Sequence, residues 1–448
     1  MSRDLAPTHA FFRDHTRLLA LALPMILANI TTPLLGLVDT AVLGHMALPA
    51  MLAGASVGAL ILTQIYWVCG FLRMSSTGLS AQAKGSDNAQ YKSAKVLWQT
   101  VAIALLLGAA IVALQAPILK VGLSLTSPNA EVATYLQQYF TTRVWGAPAA
   151  MLNLALVGWL VGQQKTRTVM TIQIIGNLLN ALLDVIFVFY LGYSVAGVAL
   201  ASVIAEYTMA ICSLLAALKI AGGVGISGAW FNRAARKVLM KLNGDMLIRN
   251  LALQACLAFL TIQGARYGET SAAVNAILMQ FFVLIALGLD GIAYGVEALV
   301  GEAQGAKDVK EIKRRTYQGL LWSSLFAVAY SLVFYAFGAD IITLLTDHQV
   351  IKDSALPYLP LMILLPLVGH WCFLYDGVFV GLTRASAMRN TMLFSAIGVF
   401  FPVWYLTQSN GNPSLWYALL AFLLARGISL GFSFNTLDKK GELGKLNG

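Results

Sequence analysis

Asp39 and, much later in the chain, Asn177, Asn180, Asp184 and Ser202 carry side chains of types that can accept a proton or coordinate a small cation. Asp39 lies in "PLLGLVDTAVLGH" (33–45), a stretch apolar enough to belong to a membrane span. A carboxylate at the bilayer centre costs about 2.5–3.5 kcal/mol on insertion scales, so its presence calls for a function. In "GNLLNALLDVIF", Asn177, Asn180 and Asp184 are spaced three and four residues apart and share one helical face. Ser202 follows in "GVALASVIAEY". An Asn amide and a Ser hydroxyl hydrogen-bond a carboxylate in either protonation state, which suits a site that loads and unloads a cation. Pro24 and Pro33 share the stretch with Asp39. Each removes a helical hydrogen bond and favours a kink, so ion binding at Asp39 is expected to select between straighter and more bent forms of this helix.

The elements that must position these residues follow from composition. The 448 residues are 58% hydrophobic and only 11% charged, with a mean hydropathy of +0.73. Soluble domains carry about 25% charged residues, so this is an integral membrane protein. Apolar runs long enough to cross a bilayer are predicted at 18–44, 52–80, 96–119, 139–161, 169–190, 195–218, 243–263, 271–300, 317–337, 357–380, 391–407 and 414–434. The first lacks a small-residue cleavage pattern and reads as a retained helix.

Basic residues cluster in alternate loops. One side receives Arg3, Arg13, Arg17, Lys84, Lys92, Lys95, Lys165, Arg167, "RAARKVLMK", "KDVKEIKRR", Arg384, Arg389, Lys439, Lys440 and Lys445; the other receives Lys120, Arg266 and Lys352. Both termini are therefore expected in the cytoplasm, and the net charge of +10 reads as a topology signal rather than a nucleic-acid surface. Cys69, Cys212, Cys256 and Cys372 all fall in predicted spans without paired spacing and are expected as free, buried thiols.

The chain also resembles itself. "GLSAQAKG" (78–85) lies over "ALVGEAQG" (298–305), "GWLVGQQK" (158–165) over "GVFVGLTR" (377–384), and Glu206 over Arg426, all at an offset of 219 or 220. Six spans per half is an even number, so both halves enter the membrane from the same side as parallel repeats. The expected organisation is an N-terminal lobe at 1–220, a cytoplasmic linker at 221–242 and a C-terminal lobe at 243–448. Two such bundles around a central cavity read as a transporter. A membrane scaffold or passive pore has no need of several carboxylates at membrane depth.

Other polar residues at membrane depth are candidates for lining a substrate cavity: Arg73, Asn153, Asn177 and Gln280, with Gln173 a further possibility. Arg73 is either a counter-ion or a snorkelling side chain. Asp290, Asp376 and Glu297 are second-half carboxylates with fewer cation ligands around them in sequence. "GASVG" (54–58) and "GVGISG" (223–228) match a hydrolase elbow and a dinucleotide loop but lack the strand–turn–helix setting. No zinc or ATP-hydrolysis motif is present, so neither enzymatic activity nor a cofactor is expected.

The stretches "LALPMILANITTPLLGLVDTAVLGH", "FLRMSSTGLSAQAKG", "GNLLNALLDV" and "GVALASVIAEY" together resemble the multidrug and toxic compound extrusion (MATE) family, closest to its DinF-like branch. The resemblance implies two six-helix lobes in a V shape. It also implies export of lipophilic, often cationic drugs against inward flow of H+ or Na+. In DinF-like members the first-span aspartate joins an Asn, an Asp and a hydroxyl residue of spans five and six, positions matched by Asp39, Asn180, Asp184 and Ser202. The acidic second-half site of the NorM-like branch is not clearly matched. The expectation is a monomeric multidrug antiporter of a bacterial-type inner membrane, coupled through Asp39 and Asp184, with Na+ at Asn180 and Asp184 as the other coupling ion. A flippase for lipid-linked precursors is the rival of the same architecture, and a broad basic cavity would favour it.

Overall fold

The computed structural model describes residues 5–445; Arg3 and the extreme C-terminus lie outside them. Among the described residues, twelve helices are long and apolar enough to span a membrane. They are α1 (Arg13–Gly44), α2 (Pro49–Gly85), α3 (Ala89–Ala113), α4 (Ala130–Gly162), α5 (Thr166–Tyr190), α6 (Val195–Ala221), α7 (Arg233–Arg266), α8 (Glu269–Gly305), α9 (Val309–Leu345), α10 (Gln349–Gly381), α11 (Ala385–Asn410) and α12 (Pro413–Lys439). The helical ladder satisfies every interior backbone group within one segment, the condition that hydrocarbon imposes. Leu106, Leu178, Ile397 and Phe432 are each more than half exposed, as lipid-facing side chains must be.

Three of the spans that are longer than the apolar runs that predicted them, α2, α4 and α10, are broken helices, α10 at Leu356–Tyr358. α2 is interrupted at Cys69 and Gly70, and α4 makes a tight turn at Val144–Gly146 before Pro148 restarts it. α4 thus begins at Ala130, capped by Asn129, whose side chain accepts from the Val132 amide at 2.9 Å.

The chain forms two compact units. One is Leu27–Lys237; the other combines the described residues up to Ile26 with those from Val238 onward. The second unit therefore includes the start of α1. There Arg17 pairs with Glu302 at 2.6 Å, Asp14 pairs with Arg314 at 2.9 Å, and Trp322 donates to His15 at 2.9 Å. α7 begins at Arg233, within the segment that the sequence suggested as a linker.

The internal repeat is visible in matching details. Non-glycine residues with positive φ stand at Asn88 and Lys307, and at Gln164 and Thr383, each pair 219 residues apart. Gly158 and Gly162 on α4 repeat as Gly377 and Gly381 on α10. A Cβ on Gly158 would lie 2.3 Å from the Arg73 carbonyl oxygen, and one on Gly162 would lie 2.6 Å from that of Thr77. Likewise a Cβ on Gly377 would meet the Ala293 carbonyl at 2.8 Å, so the small-xxx-small spacing brings backbones together in both units. Since backbone cannot swing aside, Gly158→Ala is expected to lower stability by about 1–3 kcal/mol. Thermal unfolding in detergent would read this as a lower midpoint, and an unchanged midpoint would refute the close-contact argument.

The expectation of four buried cysteines needs one correction. Cys69, Cys256 and Cys372 are buried, but Cys212 is exposed. It lies on the side of α6 that shows Ile211 and Leu215 outward, a face that position along a span does not reveal.

Candidate functional site

The first unit assembles the four first-half residues from three helices. Ile175, Leu178 and Leu182 of α5 point outward, while Asn180 and Asp184 are buried, so α5 turns its apolar side to lipid and its polar side inward. The Asn180 amide donates to Ser202 Oγ of α6 at 3.3 Å. One turn further along α5, the Asp184 carboxyl faces that of Asp39 on α1. Asp184 is fully buried and Asp39 half-buried.

A second contact locks the register. Asn177 Nδ2 donates to Thr31 Oγ1 at 2.9 Å. Thr31 precedes Asp39 as Asn177 precedes Asp184, so this part of α1 and α5 run side by side in the same direction. Val38, Val42 and Leu43, which flank Asp39, pack in one apolar cluster with Tyr139, Val195, Val198 and Ala199. The carboxyl is therefore fastened to a packed wall of α4 and α6.

The acceptors outnumber the donors here. Asp39 Oδ1, both Asp184 oxygens and Asn180 Oδ1 are buried with no protein donor. Buried polar groups are normally hydrogen-bonded, and an unpaired one costs about 1–3 kcal/mol. Such a set of oxygens is chemically suited to a positive particle.

Two further charged residues belong to the same unit and were not picked out from sequence as site residues, Glu206 being noted only in the repeat. Arg143 of α4 and Glu206 of α6 form a two-pronged ion pair, Nη1 to Oε2 at 2.8 Å and Nη2 to Oε1 at 2.6 Å. Glu206 sits one turn beyond Ser202, and Arg143 lies within electrostatic reach of Asp39. The Arg143 guanidinium stands 5.8 Å from the Tyr66 ring centroid. A Cβ on Gly146 would lie 2.6 Å from Glu206 Oε2, so the turn in α4 makes room for the pair. The signal was available, since Arg143 is a charge inside the run 139–161.

The suggested cavity residues are dispersed. Asn153 donates to the Glu206 carbonyl at 2.9 Å, beside the ion pair, and Asn177 is tied to Thr31. Arg73 is half-buried and donates to Thr77 Oγ1, one turn along its own helix, at 3.5 Å. Gln280 is exposed on α8, in the other unit. In that second unit Asp376 of α10 accepts at one oxygen, Oδ2, from Arg249 Nη2 of α7 at 2.5 Å and from Arg426 Nη2 of α12. Two guanidiniums thus already occupy this carboxylate, unlike the carboxyls of Asp39 and Asp184.

Comparison with known proteins follows the same lines. The MatE family model matches residues 24–186 and, a second time, 246–406. The chain is 43% identical over 414 residues to the DNA damage-inducible protein F of Escherichia coli (strain K12), covering 92% of this chain and 90% of that one. It is 24% identical to the multidrug resistance protein NorM of Vibrio cholerae over 97% of this chain and 98% of that one. A multidrug resistance MATE family transporter of the MOP superfamily, solved in an outward-facing conformation, shares the fold with a TM-score of 0.84 at 17% identity, over 96% and 97% of the two chains.

Proposed function

The chain belongs to the MatE family, and from that premise we propose that it is a secondary-active exporter of lipophilic compounds driven by H+ entering at Asp39 and Asp184. Family members are transporters, not enzymes, and the multidrug resistance protein NorM among the relatives supports multidrug efflux. The observation that carries the coupling proposal is the facing pair of carboxyls among acceptor oxygens that no protein group satisfies.

One proton between Asp39 and Asp184 turns two repelling acceptors into a donor and an acceptor. The Asp184 side stays with the Asn180–Ser202 bond, while Asp39 rides on α1 beyond the soft points created by Pro24 and Pro33. A change at the Asp39–Asp184 contact therefore repositions the second part of α1 against its apolar wall. Drug release is coupled to that movement. The bacterial relatives support an inner-membrane setting, and the distribution of Lys and Arg supports cytoplasmic termini.

The test is export of a lipophilic dye from proteoliposomes under an imposed pH gradient and, separately, an imposed Na+ gradient. The pH gradient alone is expected to drive transport. Transport driven only by Na+ would assign the acceptor oxygens of Asn180 and Asp184 to sodium and overturn the proton reading.

A further inference from the structure

Arg426 is a deeply buried charge of the second unit. It sits at the middle of α12, and its side chain is only 5% exposed. Its described polar contact uses a single nitrogen, Nη2, on Asp376. The Phe422 ring, 5.5 Å from Cζ, covers part of the guanidinium. Nη1 and Nε have no hydrogen-bond partner among the described residues. A guanidinium carries five N–H donors in a planar fork, and Arg426 Nη1 and Nε, which are not among the fully buried unpaired nitrogens, are left for a partner outside the chain.

The repeat sharpens the contrast. Arg426 stands where the first unit has Glu206, at an offset of 220. Glu206 is matched on both oxygens by Arg143. Arg426 is matched on one nitrogen, by a carboxylate that it shares with Arg249. Equivalent positions thus carry opposite charge, one saturated and one with donors to spare.

We propose that Arg426, held in place by Asp376 and seconded by Arg249, binds the anionic group of an amphiphilic ligand, a carboxylate, sulfonate or phosphate carried on an apolar body. The proposal rests on the transporter reading and adds a ligand class to it. The anion accepts from the uncommitted nitrogens of Arg426. Asp376 orients the guanidinium and competes with the ligand for it.

The experiment is calorimetric binding to purified protein in an uncharged detergent, with no ion gradient. Two probes share an aromatic body and differ in charge: naphthalenesulfonate and naphthyltrimethylammonium. Wild type should bind the sulfonate saturably. Arg426→Gln should weaken the sulfonate about tenfold or more, the scale of a lost hydrogen bond to a charged group, and leave the ammonium within about twofold. Arg426→Lys should retain most of the sulfonate affinity. Asp376→Asn removes the resident competitor and should strengthen sulfonate binding about tenfold, an outcome that a purely structural role does not produce and that stands even if Arg426→Gln fails to fold. No saturable sulfonate binding to wild type, equal changes for both probes in Arg426→Gln, or weaker sulfonate binding in Asp376→Asn would overturn the proposal. Because no gradient is applied, failure here leaves proton coupling intact, and failure of proton-driven export leaves this site intact.

Discussion

Asp39→Asn stops ion-driven export while the protein remains folded: this is the largest effect on activity expected here. The substitution keeps the size and shape of the side chain and removes its ability to exchange a proton or carry charge. Its new amide can donate to the facing Asp184 carboxyl, which has no protein donor in the wild type. The variant therefore sits permanently in an arrangement that resembles the proton-loaded one, with a neutral donor where O–H would be. A membrane potential of 100 mV is worth about 2.3 kcal/mol per charge moved, equivalent to a concentration ratio of about fiftyfold. In proteoliposomes held at that potential with a pH gradient, wild type should build a dye gradient and Asp39→Asn should build none. Asp184→Asn should behave alike, since the two carboxyls face each other. A variant that folds and still accumulates dye would remove Asp39 from the coupling mechanism.

The largest effect on stability is expected at Arg143 and Glu206. Their side chains are 13% and 16% exposed, so neither charge has water to fall back on. Glu206→Ala leaves the Arg143 guanidinium uncompensated at membrane depth, a change that typically costs 3–5 kcal/mol, against about 0–1 kcal/mol for an exposed pair. Removing both charges is different. Arg143→Met with Glu206→Met replaces an expensive desolvated pair by apolar groups of comparable length, and such replacements are often neutral or stabilising. Reversible unfolding in mixed micelles should place each single variant well below wild type and the double variant close to it. Single variants within about 1 kcal/mol of wild type would mean that the pair is not sealed from water.

Sequence alone determined the membrane class, the spans and the repeat, because each rests on a one-dimensional quantity. Apolar runs of bilayer length survive any arrangement of the helices, and the 219-residue offset that aligns "GWLVG" with "GVFVG" reappears as paired close-contact glycines and paired left-handed turns. Asn180 and Asp184 were legible for the same reason, since spacing on one helix places them on one face. The span ends were less legible. Hydropathy averages over a window, so it cannot see that α2 and α4 are broken at Cys69–Gly70 and Val144–Gly146.

Only the tertiary structure decided which charges meet. Asp39 and Asp184 are 145 positions apart, Arg143 and Glu206 are 63 apart, and Arg249, Asp376 and Arg426 come from three helices. Nothing local distinguishes Asp376, held by two guanidiniums, from Asp184, whose oxygens have no protein donor. Composition shows how many charges the membrane must accommodate. Their pairing depends on the rotation and register of neighbouring helices, set by contacts such as Gly158 against Arg73 and Asn177 against Thr31. The membrane makes that pairing decisive, because a charge in hydrocarbon is tolerated only beside a partner or where it does work.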